Sequence, residues 1–191
     1  MLRMNEDHEY FWDDERVPGV NEVLKDLGII DTTFFSEEGA IRGKNRHALL
    51  DDYDEGGVDW GSVSDDDSHI IVGWTEFREE YALVPKSIEL PVYDTQRHIA
   101  GTIDRIMVGP DGTLWLVDIK TGSPDKWHSL QIQIYRNAFE NFTGLTIHRA
   151  GCCYLRKAKK KQFRFKEVEW FDVGWVTTAW QWQNRKWEWI D

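Results

Sequence analysis

The spacing of apolar residues predicts helices in the first half of the chain and mostly strands in the second. Apolar residues three and four apart, the helical spacing, occur in four segments: 17–28, 37–53, 69–83 and 127–142. Alternating or continuous apolar runs, bounded by turn residues, predict strands at 87–93, 99–108, 113–119, 147–156 and 163–169. Helices before and within a run of strands indicate an α/β domain.

The ends of the chain differ from this middle part. Residues 1–16 are polar and acidic, which favours a loosely held leader preceding a single domain over 17–191. The tail holds six of the eleven tryptophans, listed as Trp170, Trp175, Trp180, Trp182, Trp187 and Trp189. They fit a terminal amphipathic helix packed on the domain or on a second subunit, or a surface on which bases stack.

Composition limits the class of protein. A chain of 191 residues, 41% hydrophobic and 30% charged, suits one soluble domain with a sizeable core. It contains no apolar run of about 18 residues, so no membrane span is expected. The acidic N-terminus does not fit a signal peptide, and we expect a cytoplasmic protein, in the host cytoplasm if it is viral.

The only cysteines are Cys152 and Cys153. Adjacent residues of a strand face opposite ways, so an ordinary disulfide between them is not expected. Two reduced thiols suit an intracellular protein.

The stretch 114–120, L-W-L-V-D-I-K, carries the clearest candidate chemistry. Asp118 and Lys120 share one face of the predicted strand because side chains alternate. The residues T-G-S-P at 121–124 end the strand at once, which leaves the pair at an open edge. A lone D-x-K pair is more often a salt bridge than an active site.

Two further patterns lie in order around this pair. Asp104 ends G-T-I-D at 101–104, on a strand that the turn G-P-D-G at 109–112 places antiparallel to the Asp118 strand. Gln131 and Tyr135 are four residues apart on a predicted helix and therefore share a face. The three patterns together predict one cluster of polar groups.

In this order, G-x-x-D, D-x-K and Q-x-x-x-Y resemble the active-site series of the PD-(D/E)XK nucleases. The nearest branch is the RecB-like and lambda-exonuclease-like one, which includes phage exonucleases. G-K-N-R-H, ending at His47, is similar to the G-x-x-x-H pattern of that branch. The resemblance runs from about residue 17 to 154. It implies a restriction-endonuclease-like αβββαβ core, with additional N-terminal helices and a C-terminal hairpin plus helix.

The resemblance also implies roles for individual residues. Asp104 and Asp118, with the carbonyl of Ile119, would bind Mg²⁺ or Mn²⁺. His47 would add a nitrogen ligand that favours Mn²⁺, and Glu89 is a tentative further ligand. Lys120 would orient or help to deprotonate the attacking water, and Gln131 and Tyr135 would position Lys120 or the scissile strand. Some relatives hold an iron–sulfur cluster with four cysteines, and with two cysteines none is expected here.

The net charge of −11 is unusual for a protein expected to bind DNA. The charge is uneven, however: residues 1–70 hold 19 acids and 6 bases, whereas residues 120–191 hold 7 acids and 13 bases. Two basic groups could contact phosphates or simply be solvated, and their members are Arg42, Lys44, Arg46, Lys157, Lys159, Lys160 and Lys161.

These patterns predict a divalent-metal-dependent DNA nuclease. An exonuclease on single- or double-stranded linear DNA, acting in recombination or repair, is favoured by analogy with the resembled branch. A structure-specific, flap-type endonuclease and a catalytically inactive DNA-binding or scaffold module are the alternatives. A recombination partner protein and a homo-oligomer are compatible with the sequence. The acidic run 51–67 lacks the spacing of a calcium loop and is interpreted as a solvated loop.

Overall fold

The computed structural model describes residues 1–184 except 7 and 34. Its centre is a five-stranded mixed sheet in the order β4-β5-β6-β7-β8. β6 and β7 are parallel, and the other neighbours are antiparallel. The strands of this sheet are β4 (Val84–Asp94), β5 (Ile99–Val108), β6 (Leu114–Lys120), β7 (Arg149–Leu155) and β8 (Phe163–Glu167).

Helices precede, connect and follow these strands, as the apolar spacing predicts. They are α1 (Val20–Asp26), α2 (Glu37–Glu55), α3 (Ser68–Tyr81), α4 (Trp127–Thr143) and α5 (Gly174–Asn184). The helix α4 connects the parallel strands β6 and β7, because a parallel pair needs a long crossover. The predicted α/β architecture with a restriction-endonuclease-like core is confirmed.

Both faces of the sheet are covered, and β6 shows how the sequence achieves this. Leu114 and Leu116 point into a core shared with α1 and α4, whereas Trp115, Val117 and Ile119 point into a second core with α2 and α3. A strand buried on both faces reads as a continuous apolar run. Asp118 interrupts this run on the α4 side, so the fold places a carboxylate among apolar neighbours.

Residues 1–16 are not a loosely held leader. They contain β1 (Leu2–Met4) and β2 (Tyr10–Trp12), which form an antiparallel sheet with β3 (Glu15–Val17). The ring of Trp12 stacks on Tyr93 at 4.7 Å between centroids. Tyr10 is buried, and its hydroxyl is 3.0 Å from the Thr102 hydroxyl of the main sheet. Two aromatic residues among the acids, Tyr10 and Trp12, anchor this segment, and the net charge gives no indication of them.

Two local expectations have different outcomes. Pro91 predicts an edge or bulged strand, and β4 is both, with a register shift between Pro85 and Ser87. A glycine within a helix lowers its stability, and close approach of another backbone is one reason for such a residue, but Gly43 has no such neighbour. A Cβ built at Gly43 would meet no atom within 4 Å.

The tryptophan-rich tail begins as the expected helix. Trp180 of α5 packs against the α1 and α4 core, and its indole N–H donates to the Asp26 carboxylate at 3.0 Å. Trp170 and Trp175 are exposed. The side chain of Trp182, together with Trp187 and Trp189, lies outside the described residues. Among the described helices, none is both long and apolar enough to span a membrane.

Candidate active site

The β5 and β6 strands separate at the point where their two carboxylates stand. Their backbone pairing runs from Val108 and Leu114 to Arg105 and Val117. Beyond this point the Ile119 N–H donates to Asp104 Oδ2 at 2.6 Å. In a continuous ladder this N–H would donate to a backbone carbonyl of the neighbouring strand. Here it donates to a side-chain carboxylate instead. The opening leaves the Asp104 and Asp118 side chains lining one cavity.

Three candidate metal ligands meet at this opening. Ligand atoms of His47, Glu89 and Asp104 all lie within 4.8 Å of one another. The His47 Nδ1 atom is 3.7 Å from Asp104 Oδ2 and 4.0 Å from Glu89 Oε1. Glu89 has a φ of 45°, an uncommon value for a residue with a side chain.

This donor set fits a divalent cation. Burial and the charges of Asp104 and Asp51 raise the pKa of the Glu89 carboxyl to about 8. Carboxylates crowded in this way repel one another, and a divalent ion with oxygen and imidazole ligands would relieve that repulsion. The carbonyl of Ile119 as a further ligand stays a prediction.

Asp118 forms an ion pair with Lys120, and its sharing of an ion with Asp104 stays a prediction. Its Oδ2 atom lies 2.7 Å from the Lys120 ammonium, and the carboxylate is almost fully buried. Among the described residues it does not join the three mutually close ligands. Burial raises the pKa of Asp118, and the Lys120 charge opposes that effect. Burial alone would lower the pKa of Lys120, but the Asp118 and Asp104 charges raise it. Lys120 is thus held as an ammonium.

The helix α4 supplies the hydrogen bonds that hold Lys120. The Lys120 ammonium donates to Gln131 Oε1 at 3.0 Å. The Gln131 amide group in turn donates to Asn21 Oδ1 at 2.6 Å and to the Tyr135 hydroxyl at 3.3 Å. Because the amide nitrogen of Gln131 is used in these two bonds, its oxygen faces Lys120. Of the two residues in the Q-x-x-x-Y pattern, Gln131 contacts the Lys120 amine and Tyr135 contacts Gln131.

The glycine of G-x-x-D has a packing role. A Cβ at Gly101 would lie 2.4 Å from Tyr135 Cε1 and 3.3 Å from Val20 Cγ2. Only a residue without a side chain allows the Tyr135 ring to lie against β5 at this distance. The motif thus joins β5 to α4 as well as supplying Asp104.

The cavity enclosing these groups has a volume of about 440 Å³. Asp104, Asp118, Lys120, Gln131 and Tyr135 line it, together with His47 of α2. Two lining residues, His8 and Tyr10, come from the N-terminal segment. No motif connects that segment with the site, because its proximity depends on the packing of the small sheet.

The sequence motifs also did not predict a buried arginine next to Asp104. Arg105 is fully buried, and it donates to Asp54 Oδ2, to Asp51 Oδ1 and to the Asp104 carbonyl, each at 2.7 Å. Asp51 and Asp54 are on α2, one and two turns after His47. The interpretation of 51–67 as a solvated loop is therefore wrong at its start. An arginine inside an apolar strand was the signal that buried acids would face it.

The seven predicted phosphate contacts fall into two sets. Arg46 bonds Asp67 Oδ1 at 2.8 Å and lies 3.5 Å from Asp66, and Lys157 lies 3.6 Å from the same Asp66. Lys161 pairs with Glu80. The acidic loop thus neutralises part of the expected basic surface. The remaining four side chains are exposed, namely Arg42, Lys44, Lys159 and Lys160. Their contact with DNA stays a prediction.

Residues 67–185 match the family model described as the PD-(D/E)XK nuclease superfamily. That segment contains every predicted site residue discussed above except those of α2, His47 included.

Two solved structures are similar at low identity. One is a crystal structure of SSO0001, 15% identical over 87% of this chain and 84% of that one, with a TM-score of 0.39. The other is a candidate exonuclease from Eubacterium rectale, 11% identical over 85% of this chain and 68% of that one, with a TM-score of 0.46. No curated protein matches. Because the matched family segment spans more than half of the 191 residues, this chain belongs to the PD-(D/E)XK nuclease superfamily.

Proposed function

We propose that this protein is a divalent-metal-dependent deoxyribonuclease, and that it acts as an exonuclease on linear DNA. The observation that carries the proposal is that His47 and Asp104, which meet Glu89, line one cavity with the Asp118–Lys120 pair. A phosphodiester resists hydrolysis because its negative charge repels a nucleophile and its leaving alkoxide is poor. A cluster of metal ligands beside an ammonium addresses both difficulties.

The roles follow from the contacts. His47, Glu89 and Asp104 would hold Mg²⁺ or Mn²⁺, with Asp118 close by, and the bound ion would act as a Lewis acid on the phosphoryl oxygen. The imidazole of His47 favours Mn²⁺, whereas a site with only oxygen ligands would favour Mg²⁺. Lys120, charged and aimed by Gln131, orients the attacking water and stabilises the negative charge that develops on the phosphate. Asp118 keeps that ammonium in place.

The first experiment is incubation with end-labelled linear DNA, single- and double-stranded, in Mg²⁺, Mn²⁺ or chelator. Cleavage should require the metal. Asp104→Asn, Asp118→Asn and Lys120→Met should each lower the rate at least about 100-fold, the scale typical for loss of one electrostatic group at a reacting centre. Matched exposed changes, Asp111→Asn and Lys86→Met, should leave the rate unaltered. Full activity of any of the three site variants would contradict the assignment.

A circular substrate separates the two kinds of nuclease. An exonuclease leaves a covalently closed circle intact and degrades the same sequence once it is linear, whereas a flap-type endonuclease cuts at a branched junction. The exonuclease assignment, a place in recombination or repair, and membership of the RecB-like branch rest on the motif series. A partner protein or a homo-oligomer is compatible with the exposed Trp170 and Trp175.

A further inference from the structure

A second cavity, of about 650 Å³, adjoins the candidate active site and shares Lys120 with it. Its walls come from the start of α2 and from the turn and first residues of α4. The residues relevant to its chemistry are Phe35, Lys120, Asp125, Trp127 and His128. None of the proposed catalytic roles uses this space. Because Lys120 lines both cavities, the second cavity begins beside the proposed reacting centre.

The tautomer of His128 is fixed by its surroundings. The Asp125 N–H donates to His128 Nδ1 at 3.2 Å, so that nitrogen is an acceptor and the ring proton is on Nε2. The Tyr154 hydroxyl also lies 2.9 Å from Nδ1. Burial, and after it the Lys120 charge, lowers the pKa of His128 to about 4, so the ring is neutral at physiological pH. Within the described residues Nε2 makes no hydrogen bond, which leaves one N–H donor free.

The aromatic wall is held in place beside this donor. The Trp127 ring lies edge to face with the His128 ring, with centroids 4.2 Å apart. The Lys120 ammonium is 5.5 Å from the Trp127 centroid, within the range of a cation–π contact. Trp127 is half-buried and Phe35 is exposed, so aromatic surface is open to the cavity. An aromatic face next to a neutral donor suits a nucleobase, whose plane stacks and whose ring nitrogens and carbonyls accept hydrogen bonds.

We propose that this second cavity binds one unpaired nucleobase, from the nucleotide adjoining the scissile phosphate. Trp127 stacks on the base, and the His128 Nε2–H donates to an acceptor on its edge. A phosphate fits less well, because Asp125 adds negative charge and Lys120 already faces the reacting centre. The inference rests on the proposed nuclease function and adds the state of the substrate: the strand end must be single-stranded or frayed, since a base in a duplex cannot leave its stack without cost.

The test combines a change in the protein with a change in the DNA. A single abasic nucleotide is moved along a short, end-labelled single strand, and cleavage by wild type and by Trp127→Leu is compared. With wild type, one position should lower kcat/KM about 5- to 150-fold, the range measured for loss of one stacked base. Trp127→Leu should lower it by a similar factor on intact DNA, and the abasic change at that position should then have little further effect.

Binding gives a readout that does not require catalysis. In an Asp118→Asn background, Trp127→Leu should weaken affinity for the same oligonucleotide by a comparable factor, whereas Trp60→Leu, at an exposed tryptophan elsewhere, should not. His128→Gln keeps an N–H donor and should retain more affinity than His128→Leu.

The outcomes separate the two proposals. Metal-dependent cleavage with no position-specific coupling between Trp127→Leu and the abasic site would overturn the base-binding cavity and leave the nuclease assignment standing. An equal rate on blunt duplex and single strand would also overturn the cavity. Absence of both cleavage and binding by wild type would overturn the nuclease assignment and, with it, the cavity's occupant. Coupling at one position would support both.

Discussion

The guanidinium of Arg105 and the carboxylate of Asp54 form an ion pair from which solvent is excluded. Their Nε and Oδ2 atoms are 2.7 Å apart, and both side chains are 0% exposed. Asp54 also accepts from the Trp74 indole at 2.9 Å and from Arg78 at 2.6 Å. Two buried charges are stable only with such complete hydrogen bonding. The pair joins α2 to Arg105, the residue of β5 that follows Asp104. It therefore fixes the position of His47 relative to Asp104.

Replacing Arg105 by methionine should affect both stability and the metal site. The change leaves Asp54 buried with one partner fewer, and losing one member of a buried pair costs about 3–5 kcal/mol of unfolding free energy. Without the bond to Asp51, α2 is less firmly placed and His47 should bind the ion more weakly. Urea unfolding measures the first effect, and calorimetric titration with Mn²⁺ measures the second.

The control is the exposed pair of Arg16 and Glu22, whose atoms are 3.0 Å apart at side chains 50% and 36% exposed. Arg16→Met should change stability by less than about 1 kcal/mol. If Arg105→Met does not fold, Asp51→Asn removes only the partly exposed arm of the network. Unaltered Mn²⁺ affinity in Asp51→Asn would mean that this arm supports the fold and does not position His47.

Glu89 should make the metal-free protein sensitive to pH. Burial and neighbouring carboxylates raise its pKa from 4.5 to about 8. A carboxyl with a raised folded-state pKa holds a proton that the unfolded chain has lost, so stability falls as pH rises from about 4.5 to about 8. Thermal unfolding in chelator between pH 5 and 8 should show this fall, and Glu89→Gln should lessen it while weakening Mn²⁺ binding. Identical pH profiles for the two proteins would contradict the prediction.

The sequence predicted the sheet because β5, β6 and β7 are apolar runs bounded by polar turn segments, a local signal. It also predicted that Asp104, Asp118, Lys120 and Gln131 meet, since alternation on a strand and spacing on a helix fix their faces. The contacts that each of these residues makes were less predictable. Asp118 bonds Lys120, whereas Asp104 stands with His47 and Glu89, and only the separation of the strands after Arg105 produces this arrangement.

Contacts between distant segments that no motif connects could not be predicted. Asp54 and Arg105 are 51 residues apart, and the Tyr10 and Thr102 hydroxyls that meet at the site are 92 apart. Asp51 and Asp54 lie in an acidic run whose composition indicates solvent exposure, and only the position of α2 against β5 shows that these two members pair with the buried Arg105. Charge patterns report the average environment of a segment, and a buried pair is an exception to that average.

Gln131 should affect the chemical step more than binding. Its Oε1 atom accepts from Lys120 at 3.0 Å, so Gln131→Leu leaves the amine held by Asp118 alone and less firmly aimed at the reacting phosphate. We expect kcat to fall about 10- to 100-fold with KM nearly unaltered, since misplacement of a reacting group costs up to about 100-fold. Gln131→Glu retains an acceptor and should recover part of the rate. Tyr135→Phe loses only a 3.3 Å bond and should have a smaller effect. An equal loss in KM would instead indicate a substrate contact.

Gly101 and Gly43 provide a last pair of opposite predictions. A methyl group at Gly101 would meet the rigid ring of Tyr135 at 2.4 Å, so Gly101→Ala forces α4 away from β5. Overpacking of this kind costs about 1–3 kcal/mol. Gly43 lies within α2 with open space around it, so Gly43→Ala should stabilise by about 1 kcal/mol through helix propensity alone. Denaturant unfolding of both variants, with Gly101→Ala repeated in a Tyr135→Leu background, measures the difference. If the Tyr135→Leu change does not lessen the cost of Gly101→Ala, contact with the ring is not the reason for the glycine, and the cost then comes from Val20 on the same side.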